Sequence, residues 1–278
     1  MVNYLVPDDV AAAVEMKAGG STVLAGGTDL YPAHVGRPMP SSVVDIGDLA
    51  ELRGVSEGAD AYRIGALTCW ADVAAADLPP CFDGLRAAAR EVGGVQVQHA
   101  GTVGGNLCNA SPAADGVPPL LALDASVELT SPVGTRVLRL EEFHTGYRET
   151  ALRSDELLTA VLVPRGLEGA RSCFLKLGLR RYLVISVVMV AAVVAVGPDH
   201  RIAEARIAVG ACSPVARRLR SLEADLVGRS DEDLGDVATL EHLASLSPID
   251  DVRGTADYRR RAALTLVRRA LERCEEPA

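Results

Sequence analysis

The sequence predicts an α+β protein of two lobes. In its first part short apolar strand candidates alternate with Ala-rich helical stretches, whereas later three strand candidates come first and helices follow. Alternation implies an α/β start; strands followed by helices imply an antiparallel sheet with helices to one side. Size agrees, because 278 residues exceed a typical single domain of ~100–200 residues and can bury a substantial core. Hydrophobic residues make up 49% and aromatics only 4%, so that core is mostly Ala, Val and Leu.

Taken in order, residues 10–17 read as a helix behind Pro7-Asp8-Asp9, with an acid available to cap it. Residues 22–24 form a short strand that delivers the chain into Ala25-Gly26-Gly27, and Thr28 or Asp29 can cap a short helix afterwards. Strands are expected at 43–46 and 62–67, and helices at 71–76 and 85–92. A glycine-rich loop runs from Gln98 to Asp115, followed by a helix over 118–123. Residues 126–131 and 136–140 alternate as a hairpin around Pro132-Val133-Gly134, and 156–163 is strand-like. The character changes near Pro164-Arg165-Gly166, which places the boundary between lobes near residue 166 and divides the first lobe near residue 55. Beyond it, strands are expected at 173–179, 184–196 and 202–208, then helices at 214–219, 234–246 and 255–273.

Two segments stand out. A-G-G-T-D-L at residues 25–30 and G-T-V-G-G-N-L-C-N-A-S-P-A-A-D at 101–115 each join a Gly pair to small hydroxyl or amide residues. That composition lets backbone N–H groups close on an anion without Cβ atoms in the way. Taken alone the first segment fits an ordinary turn, since the same residues dominate turns for local reasons. The second is longer than the ~2–5 residues a simple reversal needs, which favours a binding loop. No Lys follows either Gly pair as a P-loop requires, and neither segment is G-x-G-x-x-G. With no Lys or Arg beside them, the two segments suggest a diphosphate held from two sides by backbone N–H groups, the hydroxyls of Thr28, Thr102 and Ser111, and Asn106.

Other features bound the function. A net charge of −9 argues against nucleic acid or an anionic membrane as a partner. The apolar run 184–196 is about 13 residues long, too short to cross a bilayer, and reads as a buried strand. The start of the chain shows no basic, apolar leader, so a cytoplasmic location is expected. Six scattered cysteines without a C-x-x-C suit free thiols rather than an iron–sulfur cluster. The five histidines lack the spacing of a metal site or a catalytic triad.

The order A-G-G-T-D-L, then G-T-V-G-G-N-L-C-N-A-S-P-A-A-D, then F-L-K-L-G-L-R-R-Y-L-V-I-S-V-V at 174–188 resembles the FAD-binding medium subunit of the molybdenum hydroxylases. That family includes the flavoprotein subunits of carbon monoxide dehydrogenase and bacterial xanthine dehydrogenase, and the likeness spans nearly the whole chain. It implies an N-terminal FAD-binding α/β domain of the vanillyl-alcohol-oxidase type and a C-terminal α+β domain at 167–278. It also implies FAD lying between the lobes. By motif position, Val23, Leu24, Ala25, Gly26, Gly27, Thr28, Asp29 and Leu30 with Thr102, Val103, Gly104, Gly105 and Asn106 would line the phosphates. Asp115 would bind a polar edge of the cofactor, Lys176 would lie near the isoalloxazine, and Leu158 would contact the ring. From sequence alone Asp115 serves equally as the cap of the helix at Val117, and Lys176 as a surface Lys at a strand end.

The function the resemblance implies is electron transfer, and no catalytic acid–base residue is required for it. Electrons would come from [2Fe–2S] clusters of a small partner subunit, fed by a molybdopterin-containing large subunit, and leave to NAD, a quinone or oxygen. The alternative is a stand-alone FAD-dependent oxidoreductase acting directly on a small organic substrate.

Overall fold

In the computed structural model, residues 2–180 and 183–275 are described; Arg181 and Tyr182 of the third motif lie outside them. The chain opens with strand Asn3–Leu5, helix Val10–Ala18 and strand Thr22–Leu24. Asp9 caps that helix, its carboxylate accepting from the Ala12 amide at 2.7 Å. A short helix Leu30–Ala33 follows, and strand Ser42–Asp45 inserts between the first two strands, parallel to both.

A five-stranded antiparallel sheet comes next, in the order Val55–Glu57, Ala61–Gly65, Leu157–Pro164, Ser126–Ser131, Gly134–Arg139. Its central strand, Leu157–Pro164, breaks register between Leu158 and Ala160 against Ser126–Ser131, while on its other side the Thr159 carbonyl accepts from the Ala66 amide at 3.0 Å and extends the pairing with Ala61–Gly65. Helices Trp70–Ala75, Asp83–Glu91, Val95–Ala100, Val103–Asn109 and Val117–Ala122 connect this sheet's strands.

The last part is a four-stranded antiparallel sheet, Arg171–Leu177, Val188–Val196, Ile202–Gly210 and Arg217–Arg218, followed by helix Arg220–Leu226 and the long helix Ala256–Glu275. Strand Val188–Val196 explains why its sequence is apolar without alternation. Met189, Ala191 and Val193 enter the main core with Trp70, Phe82 and Leu120, while Val190, Ala192 and Val194 enter a second core with Leu222, Val267 and Leu271. Both faces of this strand are buried, so a period of two is invisible. No helix among the described residues is long and apolar enough to cross a membrane.

Several expectations are corrected. Residues 98–109, expected as a loop, are helical across Val95–Ala100 and Val103–Asn109. Thr102 accepts the Gly105 amide at 3.1 Å, and this cap starts a helix despite two glycines. The expected helix 214–219 is instead strand Arg217–Arg218 leading into helix Arg220–Leu226, because Arg218 is drawn into a buried pair with Glu223 at 2.8 Å. The helix expected over 234–246 shrinks to Leu234–Val237 and one 3-10 turn, Glu241–Leu243. Strand Val55–Glu57 lies where only a connection was expected.

Candidate functional site

The two glycine segments, far apart in sequence, form facing walls of one cleft of about 740 Å³. They touch through backbone. A Cβ on Gly26 would fall 1.7 Å from the Ala100 carbonyl oxygen, so only glycine permits this approach. Gly104 has a related reason: a Cβ there would meet Ala66 Cβ and O at 2.8 Å. Gly105 differs, since it is exposed, lines the cleft and has only its own cap, Thr102 Oγ1, at 2.9 Å from an added Cβ.

Most of the anticipated residues converge here. Val23, Ala25, Gly26, Gly27, Thr28, Asp29 and Leu30 line one wall; Thr102, Gly104, Gly105 and Asn106 line the other, and Leu158 contributes from the bulged strand. Leu24 and Val103 are buried behind them at 3% and 1% exposure. Ser111, Asp115 and Lys176 do not line the cleft. Ser111 Oγ accepts from the Ala113 amide in a turn. Lys176 and Asp115 meet at 2.8 Å, and Lys176 Nζ also donates to the Glu91 carbonyl at 3.2 Å. Ser186 donates to the other Asp115 oxygen at 3.2 Å. Asp115 does not cap helix Val117–Ala122, where Gly116 holds that position, and the Lys176 side chain is buried rather than at the surface. Burial pushes the Asp115 carboxyl up, against the pull of the Lys176 ammonium and the Ser186 hydroxyl.

The walls differ in what they offer an anion. In the second segment the first four helical amides are already bonded: Val103 to Thr68 O at 3.0 Å, Gly104 to Ala66 O at 2.8 Å, Gly105 to Thr102 Oγ1, and Asn106 to Thr102 O at 3.0 Å. Its Gly pair therefore serves close packing rather than free donors, a correction to the symmetrical two-loop grip expected from sequence. In the first segment the consecutive amides of Gly26, Gly27, Thr28 and Asp29 have no acceptor among the described residues. Four free N–H groups around a glycine at φ 70 make a concave donor site suited to a phosphate. Asn106 lines the other wall, and its side-chain oxygen, buried beside Gly116, has no hydrogen-bond partner among the described residues. A buried polar atom without a partner is uncommon, and this one sits on a residue of the cleft wall.

Among the lining residues that escaped the sequence reading, Lys17, Arg148, Trp70 and Glu156 matter most to the chemistry. Lys17 stands in the last turn of helix Val10–Ala18, eight residues before the first glycine segment, and only the fold brings it to the cleft. Arg148, from the turn between strands His144–Gly146 and Glu149–Thr150, offered no signal either. Trp70, the single tryptophan, is buried at 1% exposure along the floor and packs where a Cβ on Gly116 would lie 2.2 Å from its ring. Glu156 also reaches the cleft, but the Arg136 guanidinium grips both its oxygens at 2.6 and 2.9 Å and holds its carboxyl below the ordinary range.

Comparison with known proteins gives this cleft its context. Residues 1–166 match the family described as the FAD binding domain in molybdopterin dehydrogenase, and residues 174–274 match the CO dehydrogenase flavoprotein C-terminal domain. The carbon monoxide dehydrogenase medium chain of Afipia carboxidovorans is 32% identical over 288 residues, covering 99% of this chain and 97% of the relative. The putative xanthine dehydrogenase FAD-binding subunit XdhB of Escherichia coli is 35% identical over 205 residues, 72% of this chain and 70% of that protein. Among solved structures, reconstituted CO dehydrogenase from Oligotropha carboxidovorans superposes with a TM-score of 0.90 at 27% identity, covering 100% of this chain and 99% of that one. The chain therefore belongs to the molybdenum hydroxylase flavoprotein family, as an FAD-binding subunit of the type found in carbon monoxide and xanthine dehydrogenases.

Proposed function

We propose that this chain is the electron-transfer subunit of a molybdenum hydroxylase. It takes electrons from the [2Fe–2S] clusters of a small subunit, which a molybdopterin-containing large subunit supplies, and passes them to NAD, a quinone or oxygen. One observation carries the reading: four consecutive residues whose amides have no acceptor, Gly26 to Asp29, line a cleft whose other wall carries Asn106 with its unpartnered side-chain oxygen. The same reading divides the chain near residue 166. It is cytoplasmic, in keeping with six cysteines that are all free thiols.

When bound, FAD supplies the redox chemistry itself, and the protein's part is binding, orientation and electrostatics. The amides of residues 26–29, with the hydroxyls of Thr28 and Thr102, would hold the diphosphate, and Asn106 would fix a polar group of the cofactor. Leu158, together with Val92 and Val97 on the same cleft, would present an apolar surface to the ring and exclude water. Lys176 and Asp115 neutralise each other at 2.8 Å. Their part is positioning: they anchor the Glu91 carbonyl beside Val92 rather than bring a net charge to the ring.

The test is reconstitution. The purified chain is expected to take up FAD stoichiometrically, read by the visible absorption of oxidised flavin, and to co-purify with molybdenum and iron–sulfur subunits. A colourless chain that refuses FAD refutes the reading.

A further inference from the structure

Unbonded amides carry only partial charge, and the two full positive charges on this cleft come from elsewhere in the chain. Arg148 is held in the left-handed region at φ 54, which side-chain-bearing residues seldom adopt. Its own amide donates to the Ala110 carbonyl at 3.2 Å, fixing the turn against the end of helix Val103–Asn109. Its guanidinium donates to Asn109 Oδ1 at 2.6 Å, and Asn109 Nδ2 in turn donates to Asp29 Oδ1 at 2.9 Å. One side chain therefore separates the Arg148 cation from the free amides of residues 26–29.

The direct partner on Arg148 is a neutral amide, and the nearest acid in this network, Asp29, stands one hydrogen bond further on, so no carboxylate occupies the guanidinium itself. A guanidinium has five N–H donors, and Asn109 uses only one side of that fork. Lys17 reaches the same cleft from helix Val10–Ala18, and neither cation forms an ion pair among the described residues. An arginine oriented by a hydrogen bond on a cleft wall, with donors to spare, is suited to two phosphate oxygens at once; a lysine acts as a point charge.

We infer that Arg148 and Lys17 are the cationic half of the diphosphate site, so that the cleft recognises the dinucleotide by charge as well as by shape. This rests on the FAD reading above. A flavin diphosphate carries two negative charges and the Asp29 carboxylate on the same wall adds a third, so the two cations offset most of the negative charge gathered there. Asn109 is the positioning residue: it ties Arg148 to the side chain of Asp29, the last residue of the unbonded amides.

The experiment titrates the full-length flavin-free chain with FAD and, separately, with riboflavin, which has the same ring and no phosphate. Quenching of Trp70, the chain's one tryptophan, reports binding of either. R148Q and K17Q are expected to weaken FAD about 5–20-fold each, the size of a lost charge-assisted contact. The effect should shrink as salt is raised. Riboflavin affinity should not change in either variant, and R148K should recover part of the loss. Unchanged FAD affinity in both variants, or an equal loss for FAD and riboflavin, overturns the inference while leaving the FAD reading standing. Failure of the unaltered chain to bind FAD overturns both.

Discussion

Gly26→Ala puts a methyl group where the two glycine walls meet. The new Cβ would lie 1.7 Å from the Ala100 oxygen, 2.6 Å from its carbonyl carbon and 3.2 Å from the Gly101 nitrogen. The walls would have to part by about 1.5 Å to regain ordinary contact. They are not free to do so. The Gly101 amide donates to Val97 O at 2.7 Å and the Gly101 carbonyl accepts from Trp70 at 3.2 Å, so movement here pulls on the buried tryptophan. Overpacking of this kind costs about 1–3 kcal/mol, and the rigid backbone on both sides puts Gly26→Ala at the upper end. Gly105→Ala is the control: its methyl meets only Thr102 Oγ1, and replacing a helical glycine recovers roughly 0.5–1 kcal/mol. Urea unfolding of the flavin-free variants separates the two cases. Gly26→Ala should lower the midpoint with an unchanged slope, while Gly105→Ala should stay within about 1 kcal/mol of the parent and yet bind FAD less tightly. If Gly26→Ala unfolds at the parental midpoint, or Gly105→Ala is the less stable of the two, the packing argument fails.

Asn106→Leu removes a buried oxygen with no partner, so the flavin-free chain should gain stability by about 1 kcal/mol while FAD affinity falls; unchanged affinity would show that this oxygen does not meet the cofactor. Asp115→Ala leaves Lys176 charged and buried, at a cost of about 3–5 kcal/mol, and adding Lys176→Met should restore much of it; a double variant no better than the single one counts against the pair. At Asp251 burial opposes ionisation, but the Arg253 amide and the Arg259 and Arg253 guanidiniums outweigh it and hold the carboxyl at about 2. Its contribution to stability is therefore present above the ordinary value of 3.8 and lost as pH falls toward about 2. Asp251→Asn should flatten the acid limb of a stability profile; a limb of unaltered steepness would place the acid sensitivity elsewhere.

What sequence could show here depended on how local the deciding interactions were. Helix Val10–Ala18 was legible because its cap, Asp9, lies within the same turn. Strand Thr22–Leu24 was legible from its short apolar run, whereas the wall it feeds reads as an ordinary turn by itself and stands out only beside the second segment. The helical state of residues 103–109 was not. Thr102 caps locally, but the bonds from Val103 and Gly104 run to Thr68 and Ala66, partners some 35 residues earlier in the chain. Glycine pairs read as anion loops when their neighbours in space are unknown; at Gly26 and Gly104 close backbone packing fully accounts for the residue. Arg148 was hidden for the same reason, since only the fold carries that turn to Asn109. The long helix Ala256–Glu275 was plain from its pattern, whereas Arg217 and Arg218 were misassigned because their strand exists only through pairing with Val209 and Ala208.

Lys176 belongs to the C-terminal sheet, yet everything its ammonium grips, the Glu91 carbonyl and the Asp115 carboxylate, belongs to the earlier part of the chain. The first 166 residues cut away by themselves would therefore expose a carboxylate stripped of its counterion, beside the oily surface that Phe174, Met189 and Val193 normally cover. Such a fragment should aggregate rather than act as a small autonomous flavoprotein. Recombination that trades C-terminal halves between relatives would succeed only where the incoming half brings its own ammonium to that spot.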